Sequence, residues 1–314
     1  MATANVSAVI PSRDGADLLG RCLPALLEAD PGLQEIIVVD DGSEDSTADL
    51  LRRHFPTVVR LRMPRDSGFG RLCNAGVRAC RNRLVLLINN DMVPQPGFLA
   101  PLLEWMARAD VFAVGPQYRM RRGPDGAYVC SSCGDIHRES DSVQHSTSTR
   151  LDAPAGGGLF DREKFLQLGG FDPLFLPFYW EDMDLGLQAW RHGWRIVHEP
   201  RSVMYHEQGA TIRRVHSRVR SEVVFARNRF LFAWKNIRDA DLLVRHLWGL
   251  PVRLAADVFS RGGLVGARGL AGALARLPRA MSRRAAKSAG IGISDKELLR
   301  QALGSERAAV SLIG

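Results

Sequence analysis

Two clusters of oxygen-bearing side chains have the types and spacing to do chemistry. Asn89, Asn90 and Asp91 follow the apolar run Leu84 to Ile88, and Glu181, Asp182 and Asp184 open a helix-period stretch. Mg2+ and Mn2+ prefer oxygen ligands and are often held by only one or two carboxylates plus substrate phosphates. Asp91 can supply one such ligand, and an asparagine carbonyl a weaker one. Pro94, Pro96 and Gly97 place the triplet on a tight turn, a setting in which Asn and Asp also serve with no metal. In the second cluster, Asp182 is placed to take a proton from an attacking hydroxyl. The helix dipole favours acids in a first turn, which accounts for Glu181, Asp182 and Asp184 without chemistry. Together the clusters point to an enzyme that moves a group off a nucleotide diphosphate.

The elements that must position them alternate along the first half of the chain. Val6 to Ile10, Glu35 to Val39, Val58 to Arg62, Leu84 to Ile88 and Val111 to Val114 read as strands. Helix-period stretches near Leu18 to Ala29, Thr47 to His54, Arg71 to Cys80 and Gly97 to Arg108 lie between them. This rhythm predicts an α/β fold with a largely parallel sheet and helices on both faces. Ligands of such sheets gather beyond the carboxyl ends of the strands. There stand Ser12, Arg13 and Asp14, then Asp40 to Ser43, then Arg65 to Gly70, then Asn89 to Asp91.

Adjacent carboxylates at Asp40 and Asp41 repel unless something donates to them. A nucleotide base or ribose offers such donors, although Asp-Gly-Ser is also an ordinary turn. Gly68 and Gly70 would let backbone amides approach a diphosphate, and Arg71 could pair with its oxygens. Asn74 and Gly76, further along that helix, fit close packing on the sheet. Gly156, Gly157 and Gly158 either let backbone pass near a ligand or only turn the chain. Phe175, Phe178, Tyr179 and Trp180 fit a ligand-stacking surface or an aromatic core equally.

The chain has 314 residues with 46% hydrophobic and 24% charged, enough for one large domain with an appendage. The amino-terminal run is not built as a signal peptide, and the longest apolar runs fall well short of the roughly 20 residues of a spanning helix. A cytoplasmic protein is expected. Five cysteines fit reduced thiols. Cys130, Cys133, His137 and His145 have a loose zinc-like spacing, for which a variable hairpin with free thiols is the simpler account. The net charge is +8, and the segment from Leu242 to Gly290 alone carries eight arginines and one lysine against Asp257. Trp248, Leu250, Leu254 and Phe259 interleave with these arginines. That pattern suits helices lying on an anionic membrane surface, or amphipathic helices packed on the rest of the protein with solvated arginines. A nucleic-acid partner is not expected, since no recognised motif accompanies the charge.

Several ordered blocks carry a family resemblance. They are Pro11 and Ser12; Val38 to Ser43; Ser67, Gly68, Phe69 with Asn74 to Gly76; Leu87 to Asp91; Gly169 to Asp172; Trp180 to Leu185; and His206. The chain resembles a family 2 glycosyltransferase of the GT-A fold, close to the rhamnosyltransferase-like branch of bacterial surface polysaccharide synthesis. The resemblance implies a GT-A domain, bounded here at residues 1–225, and the charge pattern marks 226–314 as a basic, amphipathic helical region. The strand-end loops and the resemblance together assign Pro11, Ser12, Arg13, Asp41, Gly68, Arg71 and Asn90 to binding a nucleotide-diphosphate sugar, the resemblance placing Asp41 on the base. Asp91 and His206 would bind Mg2+ or Mn2+. Asp182 would be the general base with Glu181 beside it, and Gly157, Trp180 and Asp184 would face a glycan or lipid-linked acceptor. The reaction would invert the anomeric carbon, on the inner face of the cell membrane. The family's metal motif reads Asp, any residue, Asp, whereas position 89 is Asn, which implies weaker metal binding or reliance on Asp91, His206 and the diphosphate. A nucleotidyltransferase on a related sheet is a second reading, though its glycine-rich and lysine signature after the first strand is absent. A nucleotide-sugar-binding protein without turnover is a third.

Overall fold

The computed structural model describes residues 5–29, 33–122, 127–130, 148–206, 217–261, 264–286 and 293–303. The expected alternation is present as β1 (Val6–Ser12), α1 (Ala16–Ala29), β2 (Leu33–Asp40), α2 (Thr47–His54), β3 (Val59–Arg62), α3 (Phe69–Ala79) and β4 (Leu84–Ile88). A short β5 (Met92–Pro94) precedes α4 (Leu99–Met106) and a long β6 (Val111–Arg122). Then come β7 (Ala127–Cys130), β8 (Ser148–Thr149), β9 (Gly157–Asp161), α5 (Arg162–Gln167), α6 (Glu181–Arg191) and β10 (Arg195–His206). Among the described residues the chain continues as α7 (Arg218–Asn236), α8 (Ala240–Arg261), α9 (Val265–Leu274), α10 (Leu277–Ala286) and α11 (Asp295–Leu303). Cys133, His137, His145 and His216 lie outside the described residues.

One sheet runs β3-β2-β1-β4-β9-β6-β10-β5 along its main path, with β7 and β8 off it. β1 is parallel to β2 and β4, β2 to β3, and β6 to β10. β9 runs antiparallel to both its neighbours, β4 and β6, so β6 and β10 regain the direction of β1. Only β9 and β5 on that path oppose the rest, the latter antiparallel to β10. The sheet is therefore mostly parallel; β9 lies beyond the alternating stretch, and β5 is a three-residue strand inserted between β4 and α4 that periodicity does not show.

Successive strand residues point to opposite faces, and this divides the core in two. Val9, Ile37, Val39, Val85 and Leu87 join one buried cluster with α3, α5 and α6. Ala8, Ile10, Ile36, Val38, Leu86 and Ile88 join the other with α1 and α4. Gly76 works as expected: a Cβ there would lie 2.3 Å from Val9 Cγ1, so the bare α-carbon lets α3 settle on the sheet. Asn74 contributes differently. Its Nδ2 donates to the Phe171 carbonyl at 2.8 Å and its Oδ1 accepts from Phe171 N at 2.9 Å, tying α3 to the segment that leads to α6.

The C-terminal helices share the first core. Leu231, Phe232, Trp234, Ala273, Ala280 and Leu298 are buried in the cluster that holds Val9, and α7 runs unbroken through residue 225. A buried polar network fixes this contact. Lys235 Nζ lies 2.7 Å from both Asp172 Oδ2 and Asp184 Oδ2, and Asn236 Nδ2 donates to Asp184 Oδ1 at 2.8 Å. Arg191 joins Asp295 of α11 at 2.8 Å. Burial pushes the Asp172 carboxyl up, but Lys235 and the Leu174 amide outweigh this and hold it below the usual carboxylate range. None of the described helices is long and apolar enough to cross a membrane. Replacing Lys235 with Met leaves buried Asp184 without a cation and Asp172 with only Arg283, 3.8 Å away. The expected loss is about 3 kcal/mol or more of unfolding free energy, measured by urea denaturation against wild type.

Candidate active site

The carboxyl ends of β1, β2 and β4 open into one cavity of about 870 Å³, roofed by the residues before α6 and by α7. Pro11, Ser12, Arg13, Asp41, Gly68, Asn90, Asp91, Glu181, Asp182 and His206 all line it. The two neighbouring acids after β2 part company. Asp40 accepts from Ser43 N and Arg60 Nε, both at 2.8 Å, and these bonds overcome burial to hold its carboxyl low. Asp41 accepts from Ser67 N at 2.8 Å and stands 3.8 Å from Arg13 Nη1. Burial still pushes Asp41 up, leaving a carboxylate with room for a donor from a ligand. Asn90 Nδ2 donates to Ser12 Oγ at 3.0 Å, joining the loops after β1 and β4. At Gly68 the backbone has φ 85°, and a Cβ would lie 2.7 Å from Leu176 Cδ2, so both conformation and space require glycine.

Asp91 and His206 meet because β5 pairs antiparallel with the end of β10, His206 opposite Met92. His206 Nε2 lies 3.3 Å from Asp91 Oδ1. That oxygen is buried and accepts no hydrogen bond, which is costly unless a ligand satisfies it. No cluster of three or more His, Cys, Asp or Glu among the described residues could hold a metal. The pair nevertheless fits a divalent cation whose remaining ligands are phosphate oxygens and water. Asn89 turns its backbone elsewhere, donating its amide to the Gly156 carbonyl at 3.0 Å.

The α6 acids are held on strained backbone. Tyr179 and Trp180 have φ of 73° and 75°, conformations that cost of order 1–3 kcal/mol each for such residues. Asn228 of α7 stabilises the bend: its Nδ2 lies 2.9 Å from the Phe178 carbonyl and 2.8 Å from that of Tyr179. Burial pushes Glu181 well up, with the charge of Asp182 adding to it. Asp182 is also raised, first by burial and then by Asp152, but less than Glu181. Both carboxyls are thus held above the usual carboxylate range, by burial first and by neighbouring negative charge second. Glu181 Oε2 is buried without a partner.

Four expected site residues stand apart from the cavity wall. Arg71 is exposed on the first turn of α3. Gly157 lies inside β9, where a Cβ would be 2.8 Å from Met204 Sδ, and it is Gly156 that lines the cavity. Trp180 turns its ring into the core, 5.5 Å from Phe225 and 5.1 Å from Phe232. Asp184 is consumed by Lys235 and Asn236, one helical turn behind Glu181. Sequence reading missed Asp152, Arg227, Asn228 and Arg276, which reach the site from segments with no motif of their own. The i, i+4, i+7 placement of Arg220, Val224 and Arg227 on one helical face was the available signal.

A family model described as glycosyltransferase like family 2 matches residues 4–225. The chain belongs to that family. It is 29% identical over 216 residues to the pre-mycofactocin glycosyltransferase of Mycobacterium tuberculosis, a match covering 67% of this chain and 44% of that protein. The chain thus spans under half the length of that curated relative. Its fold is shared with a Pyrobaculum calidifontis mannosyltransferase solved with GDP-Man and Mn2+, at TM-score 0.54 and 20% identity, over 90% of this chain and 84% of that one. Residues 1–349 of S. aureus TarS give TM-score 0.59 at 15% identity, over 98% and 89% of the two chains. The fold is GT-A, as the sequence resemblance implied.

Asp152 raises Asp182 through like charge, so Asp152→Asn removes a penalty on the ionised form. The Asp182 midpoint should fall to lower pH in that variant, followed by carbon-13 NMR of the side-chain carboxyl. An unmoved or higher midpoint would contradict the assigned cause.

Proposed function

We propose that this protein is a metal-dependent, inverting glycosyltransferase that moves a sugar from a nucleotide-diphosphate donor to a hydroxyl of a glycan or polyprenyl-linked acceptor in cell-surface polysaccharide synthesis. The observation that carries the reading is the placement of the unsatisfied Asp91 oxygen, beside His206, in the same cavity as Glu181 and Asp182. Family membership and the GT-A fold support it.

Asp41 and the loop around Gly68 hold the nucleoside, and Arg13, Ser12 and Asn90 line the way to the diphosphate. A divalent cation held by Asp91 and His206 would neutralise charge on the departing diphosphate. Asp182 accepts the proton of the acceptor hydroxyl as its oxygen bonds to the anomeric carbon and the bond from that carbon to the diphosphate oxygen breaks. Attack from the side opposite the leaving group inverts the centre.

The test is nucleotide release from uridine, deoxythymidine and guanosine diphosphate sugars with Mg2+ or Mn2+, with membrane extract as acceptor. One donor should be consumed, and Asp91→Ala and Asp182→Asn should each lower the rate by about 100-fold or more. Release of inorganic diphosphate from a nucleoside triphosphate and a sugar phosphate would instead mark a nucleotidyltransferase. Donor binding that survives Asp182→Asn, with no turnover in wild type, would mark a binding protein.

The proposed setting is the inner face of the cell membrane. On α8, Val244, Leu247, Trp248 and Val252 are exposed, Trp248 by 81%, and Arg245 stands exposed among them. Such a face suits the interfacial zone of an anionic leaflet. Replacing Trp248 and Val252 with Ser should cut sedimentation with anionic vesicles by about fivefold or more. Equal sedimentation would end the membrane assignment for this helix.

A further inference from the structure

Three arginines of the C-terminal helices enter the cavity beside the segment 176–179. Arg220, Val224 and Arg227 line it from a single face of α7, and Arg276 lines it from just beyond α9. Helix α9 can come this close because Gly269 and Gly272 lack side chains. A Cβ at Gly272 would lie 3.2 Å from Arg227 Cδ, and one at Gly269 would lie 3.0 Å from the Arg227 backbone nitrogen. Arg276 Nη1 donates to the carbonyl of the same Gly272 at 3.2 Å. Both guanidinium groups are therefore gathered around one glycine.

Their charges have no carboxylate counterpart among the described residues. Arg227 is buried, and its donors go to the Leu176 carbonyl and Asn228 Oδ1, both neutral. Among the described residues, neither Arg220, Arg227 nor Arg276 forms an ion pair with a carboxylate. Other cations at this site do: Arg13 pairs with Asp66 and Asp41, and Lys235 with two aspartates. Burial, with the like charge of Arg276 added, pushes Arg227 down to about 10. Concentrating cations in this way costs free energy that an anionic ligand would recover. Guanidinium forks match phosphate oxygens in geometry as well as charge.

We propose that Arg220, Arg227 and Arg276 bind a phosphate or diphosphate group carried by the acceptor, so that the acceptor is a phosphorylated, lipid-linked molecule rather than a neutral glycan. This rests on the glycosyl-transfer reading. The donor's own diphosphate is the other source of such a group. The site favours the acceptor because the donor's diphosphate is served from the sheet, by Asp91 and His206. The arginines instead rise from the helical roof beside the segment that leads directly into Glu181 and Asp182, where the attacking hydroxyl must lie. Val224 and Leu176 line the cavity next to them and offer apolar surface to a lipid chain.

The experiment is a calorimetric titration of the full chain with Mn2+ in two arms. One arm uses the nucleoside diphosphate released in the donor screen. The other uses farnesyl diphosphate added over saturating nucleotide, with farnesol as the neutral control. Wild type should bind farnesyl diphosphate and not farnesol, and Arg227→Met and Arg276→Ala should each weaken that binding by about tenfold or more. Nucleotide affinity should be the same in wild type and variants. If Arg227→Met does not fold, Arg276→Ala and Arg220→Ala carry the comparison, since Arg220 is exposed and Arg276 half-buried. Weakened nucleotide binding in the arginine variants would assign the charges to the donor and overturn the proposal. So would farnesyl diphosphate binding that is absent, matched by farnesol, or insensitive to the substitutions. A wild-type chain that binds no nucleotide at all would sink the transfer reading itself, a result the nucleotide arm reads separately.

Discussion

Antiparallel pairing of β5 with the end of β10 sets His206 opposite Met92, and the site depends on that register. A slip of one residue would send every side chain of β5 to the other face and part Asp91 from His206. Three residues of β5 could not hold such a register alone. The pairing of β10 with β6 reaches to His206, and β6 is joined to the parallel half of the sheet through β9. Two strands that oppose the main direction thus locate the Asp91–His206 pair at the edge of the cavity.

The opposite wall is built by a different principle. Tyr179 and Trp180 take a backbone conformation that bulky residues avoid, and it persists because neighbours over-determine it. Trp180 is wedged between Phe225 and Phe232, Asn228 donates to the carbonyls of the bend, and Lys235 anchors Asp172 before it and Asp184 after it. All of these supports come from α7. The helical region is in this sense a working part of the site: it holds the α6 acids at the cavity wall, dry enough for both carboxyls to be raised.

Burial also sorts residues that look alike in a list. Asp40 and Asp41 are adjacent, yet Arg60 and Ser43 claim the first while the second keeps capacity for a ligand. Glu181, Asp182 and Asp184 lie within one helical turn. The first two face the cavity, and the third closes a structural ion cluster. In each group the division follows from which cations and amides fall within reach, a consequence of packing.

By itself the sequence determined the sheet, its helices and most of the site. Period-two and period-3.6 patterns are local properties of the chain, and they located β1 to β4, the start of β6 and the first four helices to within a few residues; the three-residue β5 was missed and β6 runs on to Arg122. Because ligands collect at strand ends in such sheets, Asp41, Gly68 and Asp91 were legible from position alone. Pro11, Ser12, Asn90, Asp182 and His206 followed from the ordered blocks. Tertiary structure decided what depends on contacts distant along the chain. It turned Trp180 inward and spent Asp184 on Lys235. It left Arg71 in solvent, and it carried Asn228, Arg227 and Arg276 to the site across a long stretch of chain. No local pattern encodes these outcomes. A side chain's partner on another helix is fixed by the crossing of the two helices, and that crossing is set here by glycines such as Gly269 and Gly272, whose meaning appears only when the helices meet.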